Sequence, residues 1–135
     1  MSQQNVEIVR CIYDAYARRD SDAPFEFYAR DIEWDVSENE GGLGPADVYH
    51  GHDGVRQAFR AALTSFREFA FVPEEEHDAG DSVLVSVRER AVGRLSGAAV
   101  ERRHHALWTL RDQKVIRMRV YRDRGDAFKA VGLEG

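Results

Sequence analysis

The hydrophobic period changes once along this chain, and that change limits what it can fold into more than any other feature. Up to Arg67 apolar residues recur at three- and four-residue steps. Val6, Val9, Ile12, Tyr13 and Tyr16 mark one amphipathic helix running to about Arg19, and Val55, Ala58, Phe59, Ala62, Leu63 and Phe66 mark another. After Arg67 the step becomes two. "EFAFVPEEE", "SVLVSVRERAV", "AVERRHHALWTL" and "KVIRMRVYR" read as four strands joined by the turn-like "HDAGD", "GRLSG" and "RDQ". Between the helical stretches, Asp22 followed by Pro24 starts a short helix carrying Phe25 and Tyr28. "IEWDV" sets Ile32, Trp34 and Val36 against Glu33 and Asp35, which predicts a half-buried strand. "SENEGGLGPADVYHG" is a glycine-rich loop of a length that is more often functional than ornamental. Asp53 is the expected cap of the helix that follows, and "GDAFKAV" forms a last short helix. Helices first and consecutive hairpins afterwards mean an α+β fold, with helices on one face of a curved antiparallel sheet. Its 135 residues suit a single domain spanning 1–135.

Composition removes several classes of function. A net charge of -5 and a pI near 5.5 argue against nucleic acid, whose phosphates repel such a chain at long range. Cys11 is the one cysteine, so no intrachain disulfide forms, and its place on the first apolar stripe predicts a small buried hydrophobe. With no apolar run near ~18 residues and no signal-peptide core, the expectation is a soluble, cytoplasmic protein with no membrane partner. "YHGHDG" holds His50, His52 and Asp53, but a metal needs three or four converging ligands and Asp53 is better used as a cap, so no metal site is expected. P-loop, G-x-G-x-x-G and G-x-S-x-G motifs are absent from the sequence.

The pair "HH" in "RRHHALWTL" raises the question of chemistry, and strand register decides it. A turn centred near Ser96-Gly97 sets Val87 opposite His105, Val85 opposite Leu107 and Val83 opposite Thr109. A turn at Asp112-Gln113 sets His105 opposite Val120, Leu107 opposite Met118 and Thr109 opposite Ile116. Both pairings agree on one apolar face, toward the helices, carrying Val83, Val85, Val87, Glu89, Arg103, His105, Leu107, Thr109, Ile116, Met118 and Val120. The other face then carries Leu84, Ser86, Arg88, Arg90, His104, Ala106, Trp108, Arg117, Arg119 and Tyr121. On this register His105 looks inward beside Glu89. Two readings stay open: a structural pair closed by Arg103, or a pocket in which burial tunes Glu89 and His105 for proton transfer. The opposite face has two as well, a ligand surface or, with its aromatics and arginines, a dimer interface.

The segment "GRLSGAAVERRHHALWTLRDQKVIRMRVYRDRGDAFKAVGL", the loop into a helix "DVYHGHDGVRQAF" and the paired N-terminal helices resemble SnoaL-like proteins of the nuclear-transport-factor-2-like (NTF2-like) superfamily. The resemblance covers nearly the whole chain. It implies an NTF2-like cone: a curved antiparallel sheet wrapped around the N-terminal helices, an internal pocket and often a dimer. Ketosteroid isomerases of this fold place a tyrosine and two acids where this chain holds Ile12, Val36 and His105. The polyketide cyclases of the family deprotonate carbon next to a carbonyl, a role His105 backed by Glu89 can fill. The resemblance therefore implies a cofactor-independent enzyme of isomerase, cyclase or hydratase type, acting on a small apolar, aromatic or polycyclic ligand. Tyr13, Tyr16, Trp34 and Phe59 would line the pocket from the helical side. Leu63, Arg103, Leu107 and Met118 would complete it. The alternative is a non-catalytic metabolite-binding or dimerisation module of the same fold, and a homodimer through the sheet is expected either way.

Overall fold

The computed structural model describes residues 2–38 and 45–133. Helix α1 (Ser2–Ala17) is followed by a 3-10 turn (Ala23–Phe27) and strand β1 (Tyr28–Asp35). A three-residue strand, β2 (Val48–His50), leads directly into α2 (Gly51–Ser65). Then come β3 (Phe66–Ala79), β4 (Ser82–Gly93), β5 (Ala99–Arg111), β6 (Lys114–Tyr121) and α3 (Arg124–Ala130). The six strands form one curved sheet in the order β2-β1-β6-β5-β4-β3. The α+β reading therefore holds, with one change: β1 runs parallel to β6, so the sheet is mixed. Tight turns force antiparallel neighbours from β3 to β6, but no turn joins β1 to β6 and none dictates their direction.

Two local expectations change. Asp53 does not cap α2; its side chain is exposed and pairs loosely with Arg56 at 3.7 Å. The helix starts two residues earlier, at Gly51, whose φ of +74° and a carbonyl oxygen of Arg30 3.3 Å from where a Cβ would stand suit glycine. Cys11 is exposed, because the buried stripe of α1 runs through Ile8, Val9, Ile12, Tyr13 and Ala15 and passes beside it. Part of the glycine-rich loop, residues 39–44, lies outside the described residues.

The register is what positions the site. Across β4 and β5 the partners are Val83 with Trp108, Val85 with Ala106 and Val87 with His104, one residue away from the expected pairing. The turn centres between Leu95 and Ser96, half a residue before the expected point, and half a residue in a turn is a full residue in register. In the next hairpin Asp112 and Gln113 both take left-handed backbone (φ 51° and 66°), the two-residue turn the sequence suggests, pairing Arg111 with Lys114. A bulge between Thr109 and Leu110 then shifts the ladder, so that Trp108 meets Met118 and Ala106 meets Val120. The two one-residue differences add to two residues between β4 and β6, which keeps the facing of those strands, so the change of face falls on β5. His104, Ala106 and Trp108 point toward the helices, whereas Arg103, His105, Leu107 and Thr109 belong to the other face. The bulge also puts Val115, not Ile116, in the inner core.

Both faces of the sheet are covered. α1 and α2 lie over the inner face, where Ile12, Ile32, Val55, Val83, Val85 and Val115 are essentially inaccessible. On the outer face, Ala127 and Phe128 of α3 pack on Leu84, Leu107 and Tyr121. Asp123 caps that short helix, its side chain accepting from the Asp126 amide at 2.9 Å.

Candidate functional site

Between α1, α2 and the inner face lies a partly open cavity of about 80 Å³. Its walls are aromatic by construction, since each element contributes the residues of its inward-facing register. Tyr13 and Tyr16 come from successive turns of α1, Trp34 from β1, Phe59 from α2, Phe69 and Phe71 from β3, and Trp108 from β5. Their rings touch in sequence: Tyr13 meets Trp108 edge-on at 5.6 Å, Trp34 meets Trp108 at 5.8 Å and Phe59 at 5.9 Å. Phe59 stacks on Phe69 at 6.0 Å, and Phe69 meets Phe71 at 5.6 Å. Met118 and Val120 of β6 fill the gaps.

One end of this apolar space is polar. Glu89 of β4 and His104 of β5 are diagonal neighbours on the inner face; both line the cavity and both are buried. His104 Nδ1 stands 3.3 Å from Glu89 Oε1, and Arg102 Nε approaches the other carboxylate oxygen at 3.8 Å. The His104–Glu89 contact is an ion-pair distance without hydrogen-bond alignment, which leaves the buried Nδ1 without a hydrogen-bond partner among the described residues. Phe71 meets the His104 ring edge-on at 6.0 Å. From the helical side, Trp108 Nε1–H donates to the Tyr13 hydroxyl at 3.1 Å, and the hydroxyls of Tyr16 and Tyr28 are 2.7 Å apart. Burial raises the pKa of Tyr13 well beyond the ordinary phenol range, against the opposing hydrogen bond from Trp108, and does the same for Tyr16 against its bond with Tyr28. Both stay neutral O–H groups, able to donate to a ligand oxygen.

The structure thus brings together Glu89, Tyr13, Tyr16, Trp34, Phe59 and Met118 as the sequence suggests, and leaves four residues out. His105 faces the opposite side, its Nδ1 hydrogen-bonded to Ser86 Oγ at 2.9 Å. Burial lowers its pKa below the usual histidine value; Arg124 and His104 add to this, while Glu75 and Asp123 oppose it. Leu107 packs under α3. Arg103 is exposed and donates to Glu74 at 2.8 Å. Leu63 is exposed, its carbonyl accepting from Arg94 on the far side of α2. Trp108 and His104, expected on the outer face, replace Leu107 and His105 in the pocket. Val36, Tyr49, Phe69, Phe71 and Ala106 also line it. The alternation F-A-F in β3 was the one available signal for the last two phenylalanines, whereas Tyr49 sits in a strand too short to show a period.

Elsewhere, His52 Nε2 is 2.9 Å from the Tyr28 carbonyl and His50 is exposed, so "YHGHDG" does not converge. No group of three or more His, Cys, Asp or Glu side chains suited to a metal occurs among the described residues. On the outer face Arg117 pairs with Glu33 at 2.7 Å and with Asp35 at 3.5 Å, and Arg119 pairs with Glu38 at 3.0 Å. Burial works to raise the Asp35 pKa, but hydrogen bonds from Ser37 and the two arginines outweigh it and hold the carboxyl below its usual value. A second depression, of about 180 Å³ beside Arg19, Glu68 and Arg90, has no buried titratable group in its wall. Among the described residues no helix is long and apolar enough to cross a membrane.

A cone of sheet closed by helices over an aromatic cavity, with one acid and one imidazole at its polar end, defines a class of small α+β pocket proteins. The SnoaL-like domain matches residues 9–118, and the chain belongs to that family. The structure is similar to an NTF2-like protein of unknown function from Burkholderia pseudomallei (22% identity, TM-score 0.80, covering 95% of this chain and 97% of that one). It is also similar to TerC co-crystallised with polyporic acid (24% identity, TM-score 0.79, 96% and 98% covered). A third similar structure is an NTF2-like protein from Burkholderia thailandensis (28% identity, TM-score 0.76, 88% and 90% covered). No curated protein matches the sequence.

Proposed function

We propose that this chain binds a small, apolar or aromatic metabolite in the cavity and moves a proton on it without a cofactor, using Glu89 and His104. The observation that carries the reading is the placement of that buried pair on the wall of an otherwise aromatic pocket. The Nδ1 side of the ring faces Glu89 at 3.3 Å, which leaves Nε2 as the nitrogen for substrate. Nε2 takes a proton from carbon next to a carbonyl, the carbonyl oxygen gains the charge, and a neutral Tyr13 or Tyr16 hydroxyl donates to it. Return of the proton to another atom gives isomerisation; attack by the carbon on a second carbonyl gives cyclisation, the new alkoxide oxygen taking the proton back from Nε2. The co-crystallisation of TerC with polyporic acid supports a small-molecule role for this architecture.

The test is exchange of the methyl protons of acetophenone for deuterium in D2O, followed by NMR. Wild-type protein should accelerate exchange, and His104→Gln should remove about 100-fold or more of the acceleration, the lower range for loss of a general base. Saturable binding of acetophenone with no accelerated exchange would select the non-catalytic binder. We propose as well that the chain pairs with a second copy through the part of the outer sheet face where the half-buried Arg117 and Arg119 stand on β6. Sedimentation of wild type and Arg119→Glu checks this: a monomer mass for the wild type ends the dimer proposal.

A further inference from the structure

The reading above leaves the charge of the ligand open, and the polar end of the cavity decides it. Glu89 is the one carboxylate and His104 the one imidazole on the wall formed by the described residues. Arg102 stands behind the carboxylate at 3.8 Å and is not part of the wall. The carboxylate charge is therefore already opposed by a guanidinium from outside the wall. An anionic ligand would bring a second negative charge against buried carboxylate oxygens. A cationic one would surrender its hydration for a carboxylate whose field Arg102 already opposes, with the ring faces to compensate. A neutral molecule avoids both costs, and a hydroxyl on it can donate to the acceptors at this end. The cavity, at about 80 Å³, is also smaller than the ~150 Å³ apolar void that admits benzene, so a ring enters it in part and the rest of the ligand projects through the open mouth.

We propose that the pocket selects neutral ring compounds bearing a hydrogen-bond donor, phenols or enols, over carboxylates and ammonium compounds of the same shape; this rests on the ligand-binding reading of the same cavity. The experiment is calorimetric titration of the protein at pH 7 with three probes matched in shape: 4-methylphenol, 4-methylbenzoate and 4-methylbenzylammonium. Trp34 and Trp108 are the chain's two tryptophans and both line the cavity, so their fluorescence reports that binding occurs there. The phenol should bind about tenfold or more tighter than either ion, a difference of ~1.4 kcal/mol or more. Glu89→Gln keeps the side-chain shape and removes the charge. It should weaken the phenol, which loses a charged acceptor, and strengthen the benzoate, which no longer meets a like charge. If either ion ranks first on wild type, or if Glu89→Gln leaves the ranking unchanged, the charge-selection proposal is overturned while the pocket reading survives. If none of the three binds or alters the fluorescence, both fall.

Discussion

His104 and His105 are neighbours in the chain, each 7% exposed, and they live in different halves of the molecule. His104 points into the aromatic cavity and meets a carboxylate. His105 points away from it, to a serine hydroxyl and the underside of α3. Its cross-strand row runs Glu75, Ser86, His105, Tyr121, and Glu75 anchors α3 through Arg124 at 2.8 Å. The difference teaches that burial does not distinguish a functional histidine from a structural one. What does is the nature of the space its face encloses: open and ligand-sized on one side, filled by Phe128 and Leu107 on the other.

The comparison can be broken most forcefully with a pair of core truncations. Trp108→Ala and Leu107→Ala should each cost about 2–5 kcal/mol in denaturant unfolding, the tryptophan at the upper end, because each empties a packed site. Only Trp108→Ala should also abolish ligand binding. A Leu107→Ala protein that folds but no longer binds 4-methylphenol would mean that the two faces are not separate. Next in size is the effect on exchange chemistry. His105→Gln should keep acetophenone exchange within about twofold of wild type, against the ~100-fold loss expected for His104→Gln.

That the chain concealed this distinction has a physical cause. The fold was legible because the period changes from helical to alternating after Arg67, and because each hairpin carries turn residues at its tip. The inner face of β4 was legible as well, and that of β6 except where the bulge puts Val115 in place of Ile116. On β5 the alternation was silent: Ala106 and Trp108 on one side and Leu107 on the other are all buried, since α3 covers the outer face just where α1 and α2 cover the inner one. The same holds for Val83, Leu84 and Val85, three consecutive residues at 1% exposure or less. With both faces buried, hydrophobicity no longer reports register, and only the turn centre and the Thr109–Leu110 bulge do. Neither of these follows from residue type. The site was half legible for the same reason: Glu89, Tyr13, Tyr16 and Trp34 sit where pattern alone places them, and the imidazole opposite the tyrosines does not.

Two smaller effects sharpen the comparison. His105 has a lowered pKa in the folded protein, so the unfolded chain binds more protons as pH falls. The stability tied to its neutral form is complete above an unfolded pKa near 6.5 and is lost as pH falls from there toward the folded value. Melting temperatures from pH 7.5 to pH 5 should therefore fall less steeply in His105→Gln than in wild type; an equal or steeper fall would contradict its burial as a neutral ring. Smallest of all, Arg103→Ala should leave the unfolding midpoint and ligand binding essentially unaltered, since its pair with Glu74 is exposed. A tenfold loss of 4-methylphenol affinity would return Arg103 to the site.

The most direct measurement is NMR of the imidazole rings, assigned through His104→Gln and His105→Gln, while 4-methylphenol is titrated into wild-type protein. The account predicts that the His104 signals move with ligand occupancy and reach a plateau, while those of His105 stay in place. Movement of His105 with His104 unmoved would put the other face of β5 on the cavity and contradict the assignment of the site.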